Sequence, residues 1–218
     1  MAVLAAGLVF AGFARTFYLR SHATPPLPPL LLAHGLVFTS WFVLLVVQTT
    51  LVAAGRTDVH QRLGIAGAAL AALMVPVGIV TAIYATRRAY PAGGAAELAF
   101  MTTPMVDILL FATFVAAALH FRRRSETHKR LMLVATIAIF PPAIARLPLA
   151  VIAEGGPWEV FGVADAILVA CVAYDTVVRR RLHPAFAWGG LLILASQPLR
   201  LALGDSDAWQ RFAVWLIR

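Results

Sequence analysis

The sequence predicts an all-α membrane protein, a polytopic helical bundle of about seven transmembrane helices. Of its 218 residues, 61% are hydrophobic and 13% charged, against roughly 45–50% and 25% in an average soluble domain. Apolar runs of about 19 to 25 residues recur along the whole length. Each is enough for a hydrocarbon core of about 30 Å at about 1.5 Å per helical residue. The charges collect in short clusters between these runs. Such a chain requires the bilayer as its solvent.

In chain order, the first expected span is Met1–Leu19. It has signal-peptide length but no basic leader, and is expected as a retained helix. Leu30–Ala53, Leu63–Ala85, Glu97–Phe121, Leu131–Ala153, Trp158–Val178 and Pro184–Leu203 follow, punctuated by Pro, Gly or charge. Residues 205–218 carry Trp209, Phe212, Trp215 and Leu216 at helical spacing between charges, the pattern of an interfacial helix. The expected organisation is a single integral membrane domain over residues 1–218.

Basic loops are retained in the cytoplasm. One side carries ten basic residues: Arg56, Arg62, Arg122, Arg123, Arg124, Lys129, Arg130, Arg179, Arg180 and Arg181. The other carries five: Arg20, Arg87, Arg88, Arg211 and Arg218. The N-terminus is therefore expected in the cytoplasm and the C-terminus outside. The net charge of +8 is not spread along a face, which argues against nucleic acid as a partner. A lone cysteine, Cys171, excludes an intrachain disulfide framework and a cysteine metal knuckle.

The segment Thr57-Asp58-Val59-His60-Gln61-Arg62-Leu63 aligns with Ser125-Glu126-Thr127-His128-Lys129-Arg130-Leu131. Both open a helix on the same side, with Thr57 and Ser125 as N-caps and acids at the positive end of the dipole. This suggests an internal repeat relating helices 2–3 to helices 4–5. Convergent capping and positive-inside chemistry form the alternative.

Five stretches resemble an uncharacterised family of bacterial multi-pass membrane proteins. They are Phe10 to Leu19 (FAGFARTFYL), His34-Gly35 with Trp41 and Gln48, His60 to Gly64 (HQRLG), His128 to Met132 (HKRLM) and Ser196 to Arg200 (SQPLR). The resemblance covers nearly the whole chain and implies seven spans in a bacterial cytoplasmic (inner) membrane, without implying an activity. The histidine-led helix starts are also similar to small membrane proteins associated with haem and respiratory oxidases.

Ionisable groups within hydrocarbon must face the interior, pair or snorkel. Counted from the outer ends of the spans, Arg200 lies about 5 Å deep, His34 about 6 Å, Arg146 and Asp165 about 10 Å and Asp107 about 15 Å. Gln197 shares this stratum. The six residues are expected either to fix helix register through Asp–Arg pairs or to form an outward-opening pocket. In the pocket, arginines would receive an anionic or carbonyl-bearing ligand, and His34 or Asp107 would handle a proton. His34, Trp41 and Gln48 recur every seven residues and make one face of the second helix polar.

His60, His120 and His128 map to the cytoplasmic boundary. Imidazoles from two helices at one depth suit axial ligation of haem b, while hydrated boundary histidines are the simpler reading. Met101 and Met105 near the outer face are ordinary apolar filler rather than a copper site. The one lysine, Lys129, sits at a helix start, which argues against a retinal Schiff base. Two function classes result. One is a haem- or quinone-linked redox subunit using His60, His120 and His128. The other is a binding or transport protein for a small organic anion, using His34, Asp107, Arg146, Asp165, Gln197 and Arg200. The expected partners are the lipid bilayer, a small-molecule ligand and other membrane proteins.

Overall fold

The computed structural model describes residues 1–20 and 26–218, which form helices and turns with no strand. The helices are α1 (Ala2–Phe13), continued by a π-helical turn over Ala14–Tyr18, α2 (Pro29–Ala53), α3 (Thr57–Gly93), α4 (Ala95–Phe100), α5 (Thr102–His120), α6 (Ser125–Ala138), α7 (Pro141–Ile144), α8 (Ala150–Ala153), α9 (Pro157–Arg179), α10 (Pro184–Gly204) and α11 (Asp207–Ile217). Five helical stretches among the described residues are long and apolar enough to cross a membrane: α2, α3, Ala95–His120, α9 and α10. Their outer faces stay apolar. Ile65 is 76% exposed, Val177 72% and Leu199 68%, which suits contact with lipid.

Three sequence expectations change. Leu131–Ala153 is not one helix: α6 stops at Ala138, Pro141 opens α7, and Leu149 is extended before α8. The cause is local, because Pro141, Pro142 and Pro148 each remove a backbone donor and exclude the helical carbonyl four residues back. The third helix does not end at Ala85. It runs through Arg87 and Arg88, with Arg88 over the Tyr84 ring, until Gly94 turns left-handed at φ 56°. Thr57 and Ser125 are the first helical residues rather than the caps. Arg56 and Arg124 hold the cap positions, accepting from the His60 and His128 amides at 3.1 and 2.9 Å.

The chain divides into two compact units. The first comprises residues 1–77 and 140–160. In it α1 packs on α2 and α7, and close approach is set by small residues, as in membrane helix pairs generally. A Cβ on Gly12 would lie 2.2 Å from the Ala143 carbonyl oxygen, and one on Gly35 would meet the Phe17 ring. The Tyr18 hydroxyl and Thr39 Oγ1 are 2.7 Å apart, and Trp41 and Phe42 are buried.

The second unit comprises residues 78–139 and 161–218. There α5 and α6 form an antiparallel hairpin, and α10 lies against both, with Gly189 closing on Val134. Phe111, Val134, Leu168 and Ile193 are buried in this unit. α11 seats Ala213 and Ile217 against Leu98 of α4, and Trp209 Nε1 donates to the Leu98 carbonyl at 2.7 Å. Its other face exposes Phe212 and Trp215, an amphipathic division suited to an interface.

Candidate functional site

The second unit brings four of the expected outer-side residues into two adjoining polar contacts. Serine and arginine four residues apart stand one above the other on a helix, which puts Ser196 beneath Arg200 on α10. Arg200 Nη2 donates to Ser196 Oγ at 2.7 Å and Nε to the Ser196 carbonyl at 3.3 Å. Nη1 donates to Asp107 Oδ1 of α5 at 2.5 Å, and the guanidinium lies 5.2 Å from the Phe161 ring centroid on α9. Asp107 and Arg200 are each only 3% exposed. Asp107 Oδ2 is buried and has no hydrogen-bond partner among the described residues. Beside the pair, Gln197 Nε2 donates to Asp165 Oδ1 of α9 at 2.8 Å. Asp165 is thus held by an amide and not by an arginine, so one Asp–Arg pair forms in this cluster where two aspartates were available.

His34 and Arg146 belong to the first unit. His34 stacks on Phe38 at 4.1 Å, and its Nδ1 is buried without a partner among the described residues. Arg146 is exposed; its Nη1 donates to the Pro142 carbonyl at 2.6 Å and its guanidinium lies 4.8 Å from the Phe13 ring centroid. Its charge is met within its own turn and by an aromatic face of α1.

The three boundary histidines have three different environments. With the Gln48 amide oriented to satisfy both of its ends, its nitrogen donates to His60 Nδ1 at 2.7 Å and its oxygen accepts from the Gly64 amide at 3.1 Å. Gln48, read from the sequence as one end of a polar face, therefore ties α2 to the start of α3. His128 Nδ1 lies 2.8 Å from the Ala118 carbonyl, which makes Nδ1 the protonated nitrogen. His120 is exposed and meets the Phe121 ring edge-on at 4.8 Å. Met101 is fully buried in the apolar cluster with Leu98 and Ala213, and Met105 packs beside it.

A further polar network was not foreseen. Arg130 of α6, 2% exposed, grips Asp175 of α9 through Nε–Oδ2 at 2.9 Å and Nη2–Oδ1 at 2.6 Å. Its Nη1 reaches the Glu126 carbonyl at 2.6 Å and carboxylate at 2.8 Å. Arg179 joins Glu126 at 2.6 Å and Asp175 at 3.6 Å, and Lys129 joins Glu126 at 2.8 Å. Hydrogen bonds from Lys129 and then Arg130 hold the Glu126 carboxyl down, to about 2. His183, between α9 and α10, is held below the ordinary imidazole value by burial and then by the Arg130 charge. Its Nδ1 accepts from the Ala185 amide at 3.1 Å, so the neutral ring caps α10.

Compared with protein-family models, with curated proteins and with solved structures, the chain matches none.

Proposed function

We propose that this chain is a multi-pass protein that binds or transports a small anionic or carbonyl-bearing molecule at the α5–α9–α10 cluster. The buried Arg200–Asp107 pair carries the reading. A guanidinium has five N–H donors, and the bonds described engage three of them, one from each nitrogen. The pair therefore offers two donors beside the unpartnered Asp107 Oδ2, in an interior where each hydrogen bond is electrostatically strong. Arg200 would receive the ligand's oxygen, Asp107 would accept its proton, and Gln197 with half-buried Asp165 would form the rim. The test is thermal unfolding of the detergent-purified protein with benzoate and, separately, with a short-chain benzoquinone. At about a hundredfold excess over Kd, a bound ligand stabilises by about 2.7 kcal/mol, or about 5–10 °C at this size. Stabilisation that persists undiminished in Gln197→Leu and Asp107→Asn would place binding elsewhere, and no stabilisation by either compound class would remove the proposal.

The proposed topology is seven crossings with the N-terminus in the cytoplasm and the C-terminus in the periplasm of a bacterial inner membrane. The family resemblance and the ten-to-five basic asymmetry support it. So does the Glu126–Arg179 ion pair, which sets the start of α6 beside the end of α9. Since α9 is itself 23 residues long, the chain between Arg130 and Pro157 must travel back over a comparable distance. A broken crossing over Leu131–Ala153 meets that requirement, and proline-interrupted helices are tolerated where neighbours satisfy the backbone. The repeat of helices 2–3 in 4–5 is proposed on the matching Arg56–His60 and Arg124–His128 backbone bonds, although the helices they open are 37 and 14 residues long. A periplasm-active reporter fused after Leu203 should be active, and activity of a cytoplasmic reporter alone would reverse the orientation.

One observation favours the haem-linked reading. A ligating histidine usually donates its second ring nitrogen to a carbonyl or carboxylate, and His128 Nδ1 is so placed on the Ala118 carbonyl. On that reading His120 and His128, both of the second unit, would lie nearest haem b. An optical spectrum of protein expressed with full haem supply tests it: a Soret band lost in His128→Ala supports the reading, and a colourless preparation ends it.

A further inference from the structure

The Glu126–Arg179 bridge also brings two arginine-rich turns to one end of the second unit. These are Arg122 to Arg124 after α5 and Arg179 to Arg181 at the end of α9. Some of these arginines are occupied: Arg122 donates to the Leu119 carbonyl at 3.2 Å, Arg124 lies over the Phe121 ring, and Arg179 is ion-paired. Arg123, Arg180 and Arg181 are exposed and have no ion pair or hydrogen bond among the described residues. Arg180 stands at φ 59°, in the left-handed region that residues other than glycine seldom adopt. Glycine is the usual occupant of such a position after a helix, so a bulky cation held there points to a use for the cation. At the end of α9 and the start of α10 the surface is apolar: Val177 is 72%, Val178 62% and Trp188 71% exposed. Three unpaired guanidiniums at the ends of spanning helices, with aliphatic and indole surface alongside, match a phosphodiester headgroup with its acyl chains.

We infer that this end of the second unit is a binding site for an anionic phospholipid of the surrounding bilayer. Arg123, Arg180 and Arg181 take the phosphate, and Val177, Val178 and Trp188 take the upper acyl chains. The site is independent of the α5–α9–α10 ligand reading and uses none of its residues.

Trp188 supplies the probe. The protein is reconstituted in phosphatidylcholine vesicles containing increasing mole fractions of brominated phosphatidylglycerol or, in parallel, brominated phosphatidylcholine. The Trp188 component is the difference between wild type and Trp188→Phe. Brominated phosphatidylglycerol should quench this component at a mole fraction at least tenfold lower than brominated phosphatidylcholine. Arg180→Gly should weaken that preference about fivefold, the effect of one arginine near an anionic surface. The same variant should unfold at no lower temperature than wild type, because glycine suits the backbone there. Replacing Arg123, Arg180 and Arg181 by Gln should abolish the preference. The preference should survive about 1 M salt, where the screening length is about 3 Å. Equal quenching by the two lipids in wild type, a preference unchanged in Arg180→Gly, or its disappearance in high salt would each overturn the site.

Discussion

Removing one member of the Asp107–Arg200 pair should cost far more than removing both. A buried ion pair broken on one side typically loses about 3–5 kcal/mol, whereas replacing the whole pair with apolar groups of similar volume is often neutral or stabilising. The structure refines these figures. In Asp107→Leu, Arg200 keeps its two bonds to Ser196 and its place over Phe161, so the loss should lie near the lower bound, about 3 kcal/mol. In Arg200→Met, Asp107 loses the only partner described for it. A lone carboxylate can be neutralised by one proton, while a guanidinium cannot shed its charge, so this loss should be smaller, about 2 kcal/mol. The double variant Asp107→Leu/Arg200→Met should recover to within about 1 kcal/mol of wild type. Equilibrium unfolding of the four proteins in one detergent gives the cycle directly. Single losses that simply add in the double variant, to within about 0.5 kcal/mol, would mean that the two side chains do not interact energetically.

Three other outcomes follow from the same geometry. Gly12→Ala should destabilise the first unit by about 1–3 kcal/mol through overpacking, because its Cβ would meet Ala143 backbone. Gly7→Ala, which meets nothing within 4 Å, is the matched control and should be neutral in the same unfolding assay. Glu126 has its folded value depressed to about 2 from an ordinary 4.5. The stability it contributes is therefore complete above about 4.5 and is lost as pH falls toward about 2; the unfolding midpoint should drop more steeply across that window in wild type than in Glu126→Gln. Trp209→Phe deletes the donor to the Leu98 carbonyl at about 1 kcal/mol, so amide exchange should quicken across residues 207–217 and not across α5.

Helices of bilayer length were legible because an apolar run states its own length, and five of the expected spans recur as long apolar helices. Their ends were less legible, for two separate reasons. Arg87 and Arg88 signal where hydrocarbon stops, but a helix can continue beyond the bilayer, and α3 runs on to Gly93, before Gly94 at positive φ. In Leu131–Ala153 the error is opposite. Hydropathy counts apolar side chains and is blind to the donors missing at Pro141, Pro142 and Pro148, so a stretch of sufficient length was read as one continuous helix.

The polar cluster was legible in membership more than in pairing, because distance along a span gives depth and leaves azimuth open. Asp107 and Arg200 were placed at depths differing by about 10 Å, yet they are in direct contact, since a long arginine side chain spans several ångströms. Arg146 and Asp165 were assigned one depth, but Arg146 bonds Pro142 while Asp165 bonds Gln197. Common depth is thus not necessary for contact. The Arg130–Asp175 network escaped for a related reason: Arg130 and Arg179 were sufficiently explained as basic boundary residues, and nothing in composition separates a snorkelling arginine from a bridging one. One signal was present. Asp175 lies one turn before the end of α9, toward the negative pole of the helix dipole, which disfavours an acid, and Arg179 at the end of the helix reaches it only at 3.6 Å. An acid at that end of an apolar helix requires a cation from a neighbouring helix, and Arg130 supplies it.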